Sequence, residues 1–330
     1  MSRAIERIRS VLVDPRIIRA LVVFVSAGVL LYLAAIFWFG WKETAEALAA
    51  LGAGKLLAGA FFASTAYLWR FGRWEYSLRC FGCAVPRRRH LAIYLSGLAL
   101  TATPGKSGET FRSALLVQQG VRVAHSLAAF IVDRATDVFG VCLLGVLASV
   151  LLGLHSAWFW ILAFGVLLFA SSMVAYLLKH PSSETWWEWL DRVLSWLPVK
   201  GGRAVFESWA FVWKPLRVVV FSVVAMIAYG TQALVFAWFC NIAGTGISTA
   251  DCVLIFVQAT LFGAASMIPG GLGAMEAALV VQMTERGVGN GVAVSLAIAI
   301  RLVTLWLGMA IGAMSLLSST RQDSTRQSMQ

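Results

Sequence analysis

The run from Ala20 to Trp41 contains no charged residue. Coiled as an α-helix at about 1.5 Å per residue, it covers the ~30 Å hydrocarbon layer of a bilayer. No soluble fold buries such a surface easily, so this run narrows the choice of architecture more than any other feature. It is not alone. Of 330 residues, 59% are hydrophobic and only 13% are charged, and the mean hydropathy is +0.79. Ordinary soluble domains carry about 25% charged residues. The sequence therefore predicts an all-α, polytopic membrane bundle. The first apolar run is too long for a signal-peptide core and no A-x-A site follows it, so no cleavable leader is expected. The net charge of +11 sits beside the apolar runs, as the positive-inside rule and anionic lipid surfaces require. That distribution argues against a nucleic-acid partner.

Apolar runs predict spans at 20–41, 55–76, 125–153, 157–178, 217–240 and 290–317. Lys55 and Arg70 flank the uncharged part of the second and are expected to snorkel. Residues 1–19 form an arginine-rich segment, expected at the cytoplasmic surface. Arg79, Arg87, Arg88, Arg89 and His90 make the next loop basic, and residues 179–217 hold six Lys/Arg. Within them Trp186, Trp189, Leu190, Val193, Trp196 and Leu197 share one helical face, which predicts an interfacial amphipathic helix over about 184–198. Residues 318–330 read as a polar, disordered tail.

Two apolar segments are broken. Pro269-Gly270-Gly271-Leu272-Gly273-Ala274-Met275-Glu276 interrupts one, and Pro104-Gly105-Lys106-Ser107-Gly108-Glu109 interrupts the other. Proline removes a backbone donor, and glycine lowers the cost of non-helical angles. In hydrocarbon, the freed backbone groups must be met by protein or by water in a cavity. Aligning the two breaks brings Gly120 near Gly287 and Arg134 near Arg301, so the chain reads as two repeats, 20–153 and 154–317. If the segments 91–122 and 252–286 crossed the membrane fully, the basic stretch 179–217 would lie outside, against the positive-inside rule. They are therefore expected to be re-entrant hairpins, with inverted repeats of three spans each and both termini in the cytoplasm.

Charges at membrane depth mark the candidate site. An arginine at the centre of a membrane helix costs about 2.5–3.5 kcal/mol on insertion scales and often faces a pathway. Arg134 can pair with Asp137 and has Asp133 beside it, whereas Arg301 has no acidic neighbour within a turn of its own helix. Both arginines can bond to carbonyls freed at the breaks, or hold an anionic head group. Glu109 and Glu276 stand where the second half-helices begin, a placement the helix dipole favours by about 0.3–1 kcal/mol. Both are also carboxylates able to take up a proton. The backbone N–H groups around Gly105, Gly108, Gly270, Gly271 and Gly273 suit a phosphate, and Lys106 and Arg112 add positive charge to the first break. Neither break is a Walker loop. No HExxH or paired zinc-ligand pattern occurs, and Cys80-Phe-Gly-Cys83 is a CxxC without a second pair. No metal, no cofactor and no catalytic constellation is expected.

Pro104-Gly105-Lys106-Ser107-Gly108-Glu109-Thr-Phe-Arg112 resembles the PG-x-x-GE-x-x-R element of the lysylphosphatidylglycerol synthase transmembrane region family, also called flippase-like domain proteins. Asp133-Arg134-Ala-Thr-Asp137 resembles its acidic-Arg-x-x-Asp element, and Pro269-Gly-Gly-Leu-Gly-Ala-Met-Glu276 and Arg301-Leu-Val-Thr-Leu-Trp306 its closing elements. The resemblance implies a bacterial or archaeal membrane protein that moves lipids between leaflets of the cytoplasmic membrane, with a phospholipid or glycolipid substrate. Bifunctional members carry a C-terminal synthase domain, and this chain ends soon after its last span, so no aminoacyl transfer is expected. The alternative is a non-transporting scaffold that presents lipid to a partner synthase.

Overall fold

Helices account for every regular element that the computed structural model describes, over residues 41–101, 111–155, 157–179, 188 and 202–327; no strand occurs among them. They are α1 (Trp41–Arg79), α2 (Arg87–Ser96), α3 (Phe111–Val117), α4 (Val123–Leu151), α5 (Ala157–Lys179), α6 (Gly202–Val212), α7 (Pro215–Ile242), α8 (Thr249–Ala265), α9 (Ala274–Thr284), α10 (Asn290–Arg301) and α11 (Leu307–Gln327). A 3₁₀ turn, Gly97–Leu100, follows α2. A π segment, Leu302–Trp306, joins α10 to α11.

Among the described residues five stretches are long and apolar enough to cross a bilayer: Leu51–Arg79, Val123–Leu151, Ala157–Leu177, Pro215–Ile242 and Asn290–Leu316. They fall on the predicted spans from the second to the last, so the all-α membrane bundle stands. Residues 20–40 of the expected first span, the first break at 102–110 and the interfacial helix 184–198, apart from Glu188, lie outside the described residues. The helix α11 runs on past Ser318 to Gln327.

Local chemistry sets the element ends. The chain turns out of the helical region at Gly52, whose φ of 72° a side chain would resist. The first position of α7 is Pro215, where the missing N–H is one of the helix's orphan donors. Ser248 caps α8: its Oγ accepts from the Asp251 N–H at 3.1 Å and donates to Asp251 Oδ2 at 2.8 Å. Helices α3 and α9 end alike. The Gly120 N–H donates to Val117 O and the Val121 N–H to Leu116 O; the Gly287 N–H donates to Thr284 O and the Val288 N–H to Met283 O. Each glycine takes the positive φ that this closure needs, 80° and 85°. Arg122 and Gly289 then start α4 and α10 from extended backbone.

The chain forms two compact units whose segments interleave in sequence: 1–64, 92–114 and 232–330 make one, and 65–91 and 115–231 the other. In the second unit α4 packs on α5 and α6. The core there gathers Ala128, Val132, Phe139, Trp209, Trp213 and Phe221. Small residues let its helices approach. A Cβ on Gly140 would overlap the Ala225 side chain and the Met226 backbone, and one on Gly145 would overlap the Trp160 ring. Gly140→Leu is therefore expected to destabilise the protein by about 1–3 kcal/mol or more, because the obstruction is backbone and cannot swing aside. A thermal melt in detergent matching wild type would refute this close approach.

In the first unit α8 packs against α9 on either side of the Pro269 turn, and α11 packs against the 3₁₀ turn at Gly97–Leu100. Glycine again marks the contacts. A Cβ on Gly312 would overlap the backbone at Leu98 and Ala99, and one on Gly59 would overlap the Phe239 ring. Ser315 Oγ donates to Ala92 O at 2.9 Å. By contrast α5 buries only 11% of its most apolar window, which is what a helix bathed in lipid requires.

Candidate functional site

Two charged centres stand among the apolar helices, one in each unit. The first is built on the Pro269 break. Helix α8 ends at Ser266, and Met267 takes a φ of +52°, a conformation that costs a residue with a side chain on the order of 1–3 kcal/mol. Pro269–Gly271 makes one 3₁₀ turn, with the Gly271 N–H donating to Ile268 O at 2.7 Å. Gly270, Gly271 and Gly273 all have positive φ, 63°, 63° and 81°. Gly271 also lies so close to the Gly263 backbone that a side chain would press on it. Helix α9 then starts at Ala274 without a side-chain cap, and Glu276 occupies its first turn.

Arg301, at the last turn of α10, closes this centre. Its Nε donates to Glu276 Oε1 at 2.7 Å, and Nη2 donates to the Gly270 carbonyl that the turn freed. Its Nη1 faces the weak acceptor Met275 Sδ at 3.5 Å. The pair is nearly withdrawn from the surface, with the two side chains 7% and 12% exposed. The acidic partner missing from Arg301's own helix is supplied by α9. The two ends of the break, its carbonyl and its first-turn carboxylate, are held by one guanidinium.

The second centre lies on α4. Asp133 and Asp137 are four residues apart and so share a face. Arg134 reaches Asp137 Oδ2 at 3.2 Å and Asp133 Oδ2 at 3.6 Å, with 22% of its side chain exposed. The stronger partner is a residue the sequence reading missed. Arg73 of α1 donates from Nε to Asp133 Oδ1 at 2.7 Å and from Nη2 to Asp137 Oδ1 at 2.6 Å, with no exposed side-chain surface. Its Nη1 reaches the Phe221 carbonyl at 3.5 Å. Tyr229 donates to Asp137 Oδ2 at 3.4 Å, and the Arg70 guanidinium lies 4.4 Å over the Tyr229 ring. Arg70, expected to snorkel, is instead buried at 8% exposure, because the Tyr229 face receives its charge. A signal was present: Arg70 and Arg73 share a helical face by their spacing, as Asp133 and Asp137 do, with opposite charge.

The remaining predicted residues divide. Arg112 is buried; its Nε donates to Tyr94 O at 3.1 Å, and its guanidinium lies 4.0 Å over the Tyr94 ring, with Gly97 leaving room for the side chain. Gly105, Lys106, Gly108 and Glu109 lie outside the described residues. In the CxxC, Cys83 Sγ is 3.7 Å from His125 Nδ1, and Phe81 stacks on the His125 ring. Burial pushes the Cys83 thiol pKa up, the wrong direction for a reactive thiolate.

Apolar helices of bilayer length with buried ion pairs among them define a multi-pass membrane protein that carries charge at membrane depth. The chain belongs to the lysylphosphatidylglycerol synthase TM region family, whose sequence profile matches residues 22–312. It is 24% identical over 263 residues to a UPF0104 membrane protein of Methanothermobacter thermautotrophicus, covering 73% of this chain and 78% of that one. The family links the protein to the handling of membrane lipids.

Proposed function

We propose that the protein is a lipid translocase of the cytoplasmic membrane that moves an anionic or phosphate-bearing lipid between leaflets without changing its covalent structure. The observation that carries this reading is Arg301, a near-buried cation that joins Glu276 to the carbonyl freed at Gly270. A head-group phosphate can accept from that guanidinium as the carboxylate does, since both are anionic oxygen acceptors. Glu276 released from Arg301 becomes a proton acceptor, so head-group entry and protonation are coupled at one residue. The Arg73–Asp133–Asp137–Arg134 cluster supplies the corresponding charges on the other unit. In this reading the two Pro-Gly breaks are tips of re-entrant hairpins in inverted repeats, and the acyl chains stay in lipid while the head group passes.

A leaflet-sidedness assay in proteoliposomes tests it. Fluorescent phosphatidylglycerol should become accessible to an impermeant quencher from both sides. Arg301→Ala and Arg134→Ala, compared with folded wild type at matched protein density, should slow that exchange by about tenfold or more, the equivalent of one charge-assisted hydrogen bond. Rates equal to wild type would remove the mechanism. Lipid binding without exchange would favour a scaffold for a partner synthase instead.

A further inference from the structure

The second unit contains a cavity of about 900 Å³ between α1 and α7 that neither charged centre accounts for. Its walls come from Leu68, Trp69, Leu216, Val220, Phe221 and Val224, with Arg217 as the cation not already committed to an ion pair and the sealed Arg73 also in the lining. We infer that this groove seats one acyl chain of an anionic glycerophospholipid, with the phosphodiester on Arg217. The inference rests on the lipid-handling reading and names the lipid class.

Charge decides the occupant. Arg73 is already neutralised by Asp133 and Asp137. Arg217 is not: its Nη1 has no hydrogen-bond partner, and the residue makes no ion pair among the described residues. A cation without a counter-charge in an apolar wall is costly, and a phosphate oxygen that pairs with the guanidinium relieves that cost. Arg217 also stands in the first turn of α7, right after Lys214 and Pro215, with no acidic residue in that turn. Cations at a helix N-terminus oppose the macrodipole, and an anion bound there is favoured by both.

The walls fit the other half of the ligand. Leu68 is 61% exposed, Leu216 76% and Val220 50%, so the groove opens outward along an apolar rim rather than into a sealed core. For a chain that lives in a bilayer, such an opening admits an acyl chain sideways from lipid, while water-soluble anions would meet an apolar wall. The volume falls within the ~300–1,000 Å³ of sites that enclose most of a small amphiphile. Arg73 is among the lining residues, so a lipid seated there lies beside the charge cluster of α4.

The test uses the full chain in nanodiscs of phosphatidylcholine. The probe is phosphatidylglycerol carrying a diazirine in one acyl chain, and the control is the same chain on diacylglycerol, which lacks phosphate. After illumination, peptides from 65–76 and 216–224 should carry most of the phosphatidylglycerol label. Val220→Trp and, independently, Leu216→Trp fill the groove from lipid-exposed positions and should abolish that labelling. Arg217→Gln should lower it about tenfold, to the diacylglycerol level. Labelling spread evenly along α5, label unchanged by both tryptophans, or equal labelling by the two probes in wild type would each overturn the assignment. The readout needs no leaflet exchange. A protein that labels but does not translocate sinks only the transport reading, and one that translocates without labelling sinks only the groove.

Discussion

Arg73→Leu is expected to cost the protein about 3–5 kcal/mol, a large share of the ~5–15 kcal/mol that holds a typical domain folded. The reason is asymmetric. Arg73 donates to both Asp133 and Asp137, and the three side chains are all but sealed. Removing the cation leaves two carboxylates four residues apart, answered by the more exposed Arg134 at 3.2 and 3.6 Å and by the Tyr229 hydroxyl. Replacing all three by apolar residues of similar size should be far milder, since a buried ion triad is worth little against good packing. Arg203 and Glu207 give the control. That pair is about half exposed at both ends, so Arg203→Leu should cost below ~1 kcal/mol. Thermal unfolding in detergent, followed by tryptophan fluorescence, reads all of these. A single Arg73→Leu as mild as Arg203→Leu would show that α1 is not held to α4 by charge.

Arg301→Met should cost a similar ~3–5 kcal/mol, for two losses at once. Glu276, 12% exposed, would lose its guanidinium, and the Gly270 carbonyl would lose the donor that answers it. Arg301→Met with Glu276→Met should recover a large part, leaving a coupling energy of about 0.5–3 kcal/mol in a double-mutant cycle. Arg301→Lys should not rescue. A lysine ammonium is a single point of charge, whereas Nε and Nη2 here serve two acceptors that belong to different parts of the break. Additive losses in the cycle, or full rescue by lysine, would contradict the bridging role.

The bundle was legible in the sequence because the bilayer imposes length and apolarity on every span, and those are one-dimensional properties. The Pro269 turn was legible for the same reason: Gly270, Gly271 and Gly273 can only mean backbone that leaves the helix, and all three do. The partners of the charges were not legible. Arg301 meets Glu276 across 25 positions and Arg73 meets Asp133 across 60, and no local rule pairs residues that far apart. Arg70 misled because its place near the end of an apolar run is where a snorkelling arginine would stand. The ring of Tyr229, far along the chain, receives its guanidinium. The cavity beside Arg217 was out of reach altogether, because an empty space has no residue to announce it.

The wide turn at Leu302–Trp306 sets an angular phase. An α-helix rotates each successive side chain by about 100°, so a rod of fixed pitch dictates every azimuth from any one of them. A π segment packs more residues into its turn and slips that phase. Upstream, Arg301 must look toward Glu276; downstream, Gly312 must look toward Ala99. The slipped turn therefore gives Gly312 a bearing relative to Arg301 that differs from the one an unbroken α-helix would impose, and both contacts are made with that offset.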